Sequence, residues 1–172
     1  MLVGLLEARD IQPFIDDFKA GKYNRVCEKG SRLFYGGYTD ENFISLVGVS
    51  CAKVDRINIL GMLQRTLVGS VSSRENASYF ASLILQKRLI YQFMIDDIDL
   101  SELKLPSSRH LLSRVFENLS SKNYKVLSEH PKLIEIEDRG QKIIISTSDD
   151  VPIKVLVDEY TAKGELKRHW YQ

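Results

Sequence analysis

The stretch DIQPFIDDFKAGKYNRVCEKGSRLFYGG, residues 10–37, decides how the front of this chain folds. Ile11, Phe14, Ile15 and Phe18 recur at steps of three and four, which places them on one face of a helix from Asp10 to Ala20. Asp10 can cap that helix, and Pro13 is tolerated because its missing N–H falls in the first turn, where no helical partner exists. Gly21-Lys22 breaks the run. A second helix is expected from Tyr23 to Phe34, with Val26, Cys27 and Leu33 inward, and Gly36-Gly37 ends it. Two helices and a glycine turn make one hairpin.

The pattern then repeats. Thr39 or Asp40 can cap a helix from Glu41 to Val54, whose Phe43, Leu46, Val47 and Cys51 form an apolar stripe. Asp55-Arg56 turns into Asn58 to Val71, where Ile59, Leu60, Leu63 and Leu67 continue the stripe. Asn76 to Ile95 has no internal break and is apolar over much of its circumference, so it is expected to be the most buried helix. Lys19, Lys53 and Lys87 stand 34 residues apart, just ahead of Gly21-Lys22-Tyr23, Asp55-Arg56-Ile57 and Leu89-Ile90-Tyr91. That period belongs to stacked helical hairpins. A lysine ladder along one surface would clamp a carboxylate or an acidic peptide; three solvated lysines on exposed faces is the plainer alternative.

These segments resemble tetratricopeptide repeats over residues 7–95. Gly48 and Ser82 stand at that family's small-residue place in the first helix, and Gly21-Lys22-Tyr23 with Val26 matches its turn. Phe14 departs from the first small-residue place, and Asp55 and Leu89 replace the turn glycine, the latter implying that the third hairpin has fused into one straight helix. The resemblance implies a concave face that grips an extended peptide, lined by Asn42, Ser45, Val49 and Lys53 from one unit and Asn76, Tyr79, Leu83 and Lys87 from the next, and the lysine ladder would make that peptide an acidic one. It implies a non-enzymatic interaction or assembly module. A generic helical bundle with a coincidental period is the alternative.

After Lys122 the alternation changes to period two. Tyr124–Ser128, Leu133–Glu137, Lys142–Ser148, Ile153–Tyr160 and Glu165–Tyr171 read as strands joined by short turns, which forces an antiparallel meander. Ile134, Ile136, Val155 and Val157 share a face that needs cover, and a helix from Arg109 to Leu119, capped by Ser107 or Ser108, is the nearest candidate. The fold class is therefore α+β, with an apolar arm over 1–9, helical hairpins over 10–105, and a helix plus antiparallel sheet over 106–172.

Composition bounds the function. The 172 residues are 44% hydrophobic and 27% charged, which describes an ordinary globular chain, and a net charge of +1 supplies no global field to recruit nucleic acid or anionic lipid. No GxSxG, HExxH or phosphate-cradling glycine loop occurs, and His110, His130 and His169 lack ligand spacing, so neither enzyme activity, cofactor nor metal is expected. Asp97-x-Asp99-x-Ser101 begins like a calcium loop, but Glu102 stands where its glycine belongs and Ser108 where its closing glutamate belongs. Arg168, His169, Trp170 and Tyr171 form a basic-aromatic cluster that would stack on a base or sugar, edge packing being the commoner role. The rival to an interaction module is a small-ligand or lipid carrier with a cavity lined by Phe93, Phe116 and Trp170.

Compartment is open at this stage. Met1 to Leu6 is apolar yet lacks the basic leader of a secretory signal; with Ala8 before a cleavage point it looks like the end of one if translation starts upstream, and otherwise like an arm docking on the first helices. Export, with a periplasmic location, implies a disulfide between Cys27 and Cys51; a cytoplasmic location implies two buried thiols.

Overall fold

The computed structural model describes residues 11–161 and 163–172; the arm expected over 1–9, the Asp10 cap and Ala162 of the last turn lie outside the described residues. Among the described residues six α-helices precede five strands: α1 (Gln12–Lys19), α2 (Tyr23–Tyr35), α3 (Glu41–Lys53), α4 (Ile57–Leu63), α5 (Val71–Ile95) and α6 (Leu111–Ser120), then β1 (Lys125–Glu129), β2 (Lys132–Asp138), β3 (Gln141–Thr147), β4 (Val155–Tyr160) and β5 (Leu166–Tyr171). The α+β order is the one the sequence implies. Two compact units, 1–81 and 82–172, divide inside α5. The second half of α5 belongs with the second unit because its side chains are partnered there: Phe93 packs edge-on to Tyr124, and Gln86 Oε1 accepts from Ser113 Oγ at 2.8 Å.

In the first unit α2 and α3 run antiparallel at unusually close range. Cys27 and Cys51 are joined as a disulfide, with Cα atoms 4.8 Å apart and both residues buried. One turn along, a Cβ on Gly30 would sit 2.3 Å from Val47 Cγ2, so only glycine permits the approach. Asp40 caps α3 by accepting from the Phe43 N–H at 2.8 Å, and the Phe43 ring is met edge-on by Phe14 and Tyr38. Leu33, expected inward, is 39% exposed on the far side of α2.

The fourth helix is half its expected length. A tighter turn, Gln64–Thr66, follows Leu63, and the Thr66 hydroxyl donates to the Leu63 carbonyl at 2.9 Å, competing with helical continuation. The Glu41 carboxylate then accepts from the N–H groups of Val68 and Gly69, which fixes the following loop and holds that carboxyl below the usual range, first through Ser73 and then through these amides. Ser70 Oγ accepts from the Ser73 N–H and starts α5 at Val71, five residues ahead of expectation.

In the second unit α6 begins at Leu111, and its cap is His110, whose Nδ1 accepts from the Leu112 N–H at 3.1 Å. Neither Ser107 nor Ser108, the two expected caps, holds that place, and Ser108 instead accepts from the His110 N–H one step earlier. The sheet is a meander in the order β1-β2-β3-β4-β5, antiparallel throughout. Ile134, Ile136, Ile143, Ile145, Val155 and Val157 form one fully buried face, against which α6 packs through β2.

Arg114 ties that helix to the sheet. Arg139 and Gly140 both have positive φ, which makes a two-residue turn that sets Asp138 directly opposite Gln141. Arg114 Nε donates to Asp138 Oδ2 at 2.6 Å, Nη2 to Gln141 Oε1 at 2.8 Å, and Nη1 to Glu159 Oε1 at 2.7 Å. Burial alone would lower this guanidinium's pKa, but the two carboxylates outweigh it and the net shift is upward. Lys132 does similar work at the end of α5: its ammonium bonds the Phe93 carbonyl at 2.8 Å and Asp97 at 2.6 Å, and lies 4.2 Å from the Phe93 ring centre.

Candidate functional site

Helix α3 packs against α1, α2 and α4, and seven of its residues from Phe43 to Ala52 are buried. One row still faces outward: Asn42 and Lys53 are exposed, and Ser45 and Val49 are half-buried. Steps of three and four keep these residues on one side, and a row of this length spans roughly 16 Å. An extended peptide rising about 3.3 Å per residue covers that distance in about five residues. The row offers an amide, a hydroxyl, an apolar patch and an ammonium, with Lys53 Nζ 5.9 Å from the Tyr23 ring centre.

Asn76 and Tyr79 lie half-buried on the first turns of α5. The Tyr79 ring leans on Phe80 at 5.7 Å, and Phe80 abuts Gly48, where a Cβ would come within 2.3 Å of the ring. So α5 passes α3 closely at the middle of the row, and the small residue at 48 is what allows it. Burial raises the pKa of the Tyr79 hydroxyl.

Leu83 and Lys87 belong to the second unit, and both are buried, at 0% and 4% exposure. The buried stripe of α5 runs through Phe80, Leu83, Lys87, Ile90 and Met94, while Leu85 is 45% exposed and the polar Gln86 is enclosed. Gln86 tolerates this because its amide donates to the Pro106 carbonyl and its oxygen receives Ser113. The three lysines of the 34-residue period therefore part company: Lys19 and Lys53 are exposed, whereas Lys87 donates to the Gln172 carbonyl.

Burial, followed by the neighbouring Arg88 charge, lowers the Lys87 pKa to about 8 from 10.5. Between those two values the folded chain binds fewer protons than the unfolded chain, so this group makes unfolding free energy rise with pH across the window; below about pH 8 both states are protonated and its contribution no longer changes. Urea midpoints at pH 8 and pH 10 should show that rise in the wild type and lose it in Lys87→Met.

Strand alternation separates the terminal basic-aromatic cluster. His169 and Tyr171 point inward and are buried, while Arg168 and Trp170 face out. Arg168 grips the Asp158 carboxylate with two bonds of 2.7 Å, and Lys154 Nζ lies 5.3 Å from the Trp170 ring centre. Trp170 is 55% exposed on the face opposite the buried one, whereas Phe93 and Phe116 are enclosed, so these three do not line one space. Asp97 is engaged by Lys132, and Asp99 accepts from the N–H and hydroxyl of Ser101; no group of three or more potential metal ligands gathers among the described residues. A recess of about 190 Å³ is lined by Lys122, Asn123, Tyr124, Lys125, Glu135 and Glu137, but Lys125 already pairs with both glutamates. No described helix is long and apolar enough to cross a membrane.

No family model, no curated protein and no solved structure matches this chain. Its function has to be argued from its own surfaces.

Proposed function

We propose that this chain is a protein-interaction module, without chemistry of its own, that holds an extended acidic segment of a partner along the outward row of α3. The observation that carries the reading is the row itself. The most enclosed helix of the first unit leaves Asn42, Ser45, Val49 and Lys53 in line at its surface. Its polar groups suit a peptide backbone, Val49 suits an apolar side chain, and Lys53 suits a carboxylate.

Packing of each helix from α1 to α4 on the next, and of α1 on α3, supports a stack of hairpins like that of tetratricopeptide repeats. The buried Cys27–Cys51 bridge supports residence in an oxidising compartment, such as the periplasm, since such bonds persist there. A partner captured on immobilised wild type should be lost on Lys53→Glu and kept on Met62→Glu, a change at an exposed position of α4. Equal recovery on both would defeat the reading.

A further inference from the structure

We propose that the edge of β5 that pairs with no other strand among the described residues is a second docking site, which takes an extended acidic segment of another protein as a sixth strand. This site lies in the second unit and does not depend on the α3 row.

An open meander has two edges, and these two differ. Strand β1 is interrupted by a register shift between Val126 and Ser128, which breaks the ladder it could offer. Strand β5 stays in register with β4 from Leu166 to Tyr171 and contains neither glycine nor proline. At its hairpin end the Thr161 N–H donates to the Glu165 carbonyl at 2.9 Å. Bonded pairs alternate from there, so Lys167, His169 and Tyr171 face β4, and the N–H and C=O groups of Leu166, Arg168 and Trp170 point away from it. Both ends of the strand are held, by Glu165 N–H on the Thr161 hydroxyl and by Lys87 on the Gln172 carbonyl. An edge fixed in this way loses little freedom when a strand is added.

Side-chain chemistry selects the occupant. Leu166 and Trp170 are 52% and 55% exposed on the outer face, two apolar contacts flanking Arg168. Arg168 is committed to Asp158, but Lys163 and Lys167 are exposed and make no ion pair among the described residues. A segment with acidic residues beside Lys167 and aliphatic ones beside Leu166 and Trp170 meets both. A second copy pairing edge to edge about Arg168 would set arginine against arginine, which disfavours that arrangement.

The probe is a seven-residue peptide alternating glutamate with valine, titrated into the full chain while amide hydrogen exchange is followed. Slowed exchange at Leu166, Arg168 and Trp170, with no effect from the peptide carrying lysine in place of glutamate, is expected. Leu166→Pro removes one outward N–H at the first position of the strand, where proline is accommodated, and should abolish the protection. Lys167→Glu, which keeps the backbone intact and decides the matter if the proline variant fails to fold, should weaken binding at least tenfold. No binding at millimolar peptide, binding unaltered by both variants, or protection that grows with protein concentration alone would each overturn the proposal, the last in favour of self-association.

Discussion

Arg114→Met should lower the unfolding free energy of the chain by about 3 kcal/mol, the loss expected when one partner of a largely buried ion group is removed. Methionine fills similar space, so the loss does not come from a cavity. It comes from Asp138 and Glu159, which keep their charge at 16% side-chain exposure each while the cation between them is gone. The triple variant Arg114→Met, Asp138→Asn, Glu159→Gln should recover most of the stability, because no uncompensated charge is left. Urea unfolding of the three proteins at pH 7 is the measurement. A loss under about 1 kcal/mol in the single variant would mean that solvent reaches the group far more than its burial suggests.

The second large effect concerns the bridge between α2 and α3. Cys27 and Cys51 are 24 positions apart, and closing a loop of that length removes enough freedom from the unfolded chain to stabilise the fold by about 3 kcal/mol. Cys27→Ala/Cys51→Ala should lose that amount, and a reducing agent should bring the wild type down to the same midpoint while leaving the variant unchanged. Both residues are at most 1% exposed, so the reductant acts only when the first unit opens, and reduction should be slow in native buffer. Equal midpoints with and without reductant would show that the bond does not stabilise the fold.

Much of this architecture was legible in residue spacing. The five strands fall within a residue or two of the alternating runs; in β2, β3 and β4 alternate residues are buried, and a slip of one residue would turn that face to water. The hairpin of α1 and α2 was legible from Gly21 and the repeat of phenylalanine and isoleucine. What escaped reading rests on long-range partners. Helix α4 stops early where Thr66 turns back on Leu63, and Glu41, 28 positions before Gly69, captures the following loop through a bond that no local pattern announces. Lys87 and Gln86 are buried in place of Leu85 because Gln172, Pro106 and Ser113 satisfy them, and those partners lie 20 to 85 residues away. Of the docking residues that the repeat resemblance implied, Asn42, Ser45, Val49 and Lys53 lie along the surface of α3, whereas Leu83 and Lys87 fell on the enclosed face of α5.

The docking role of α3 is tested most directly by placing a photo-crosslinking residue at Val49 or, as a control on the same unit, at Met62, and irradiating the protein in the cells that make it. The account predicts a protein adduct at position 49 that disappears when Lys53→Glu is added, and none at position 62. Adducts of equal yield at both positions, or an adduct at 49 that Lys53→Glu leaves intact, would contradict it.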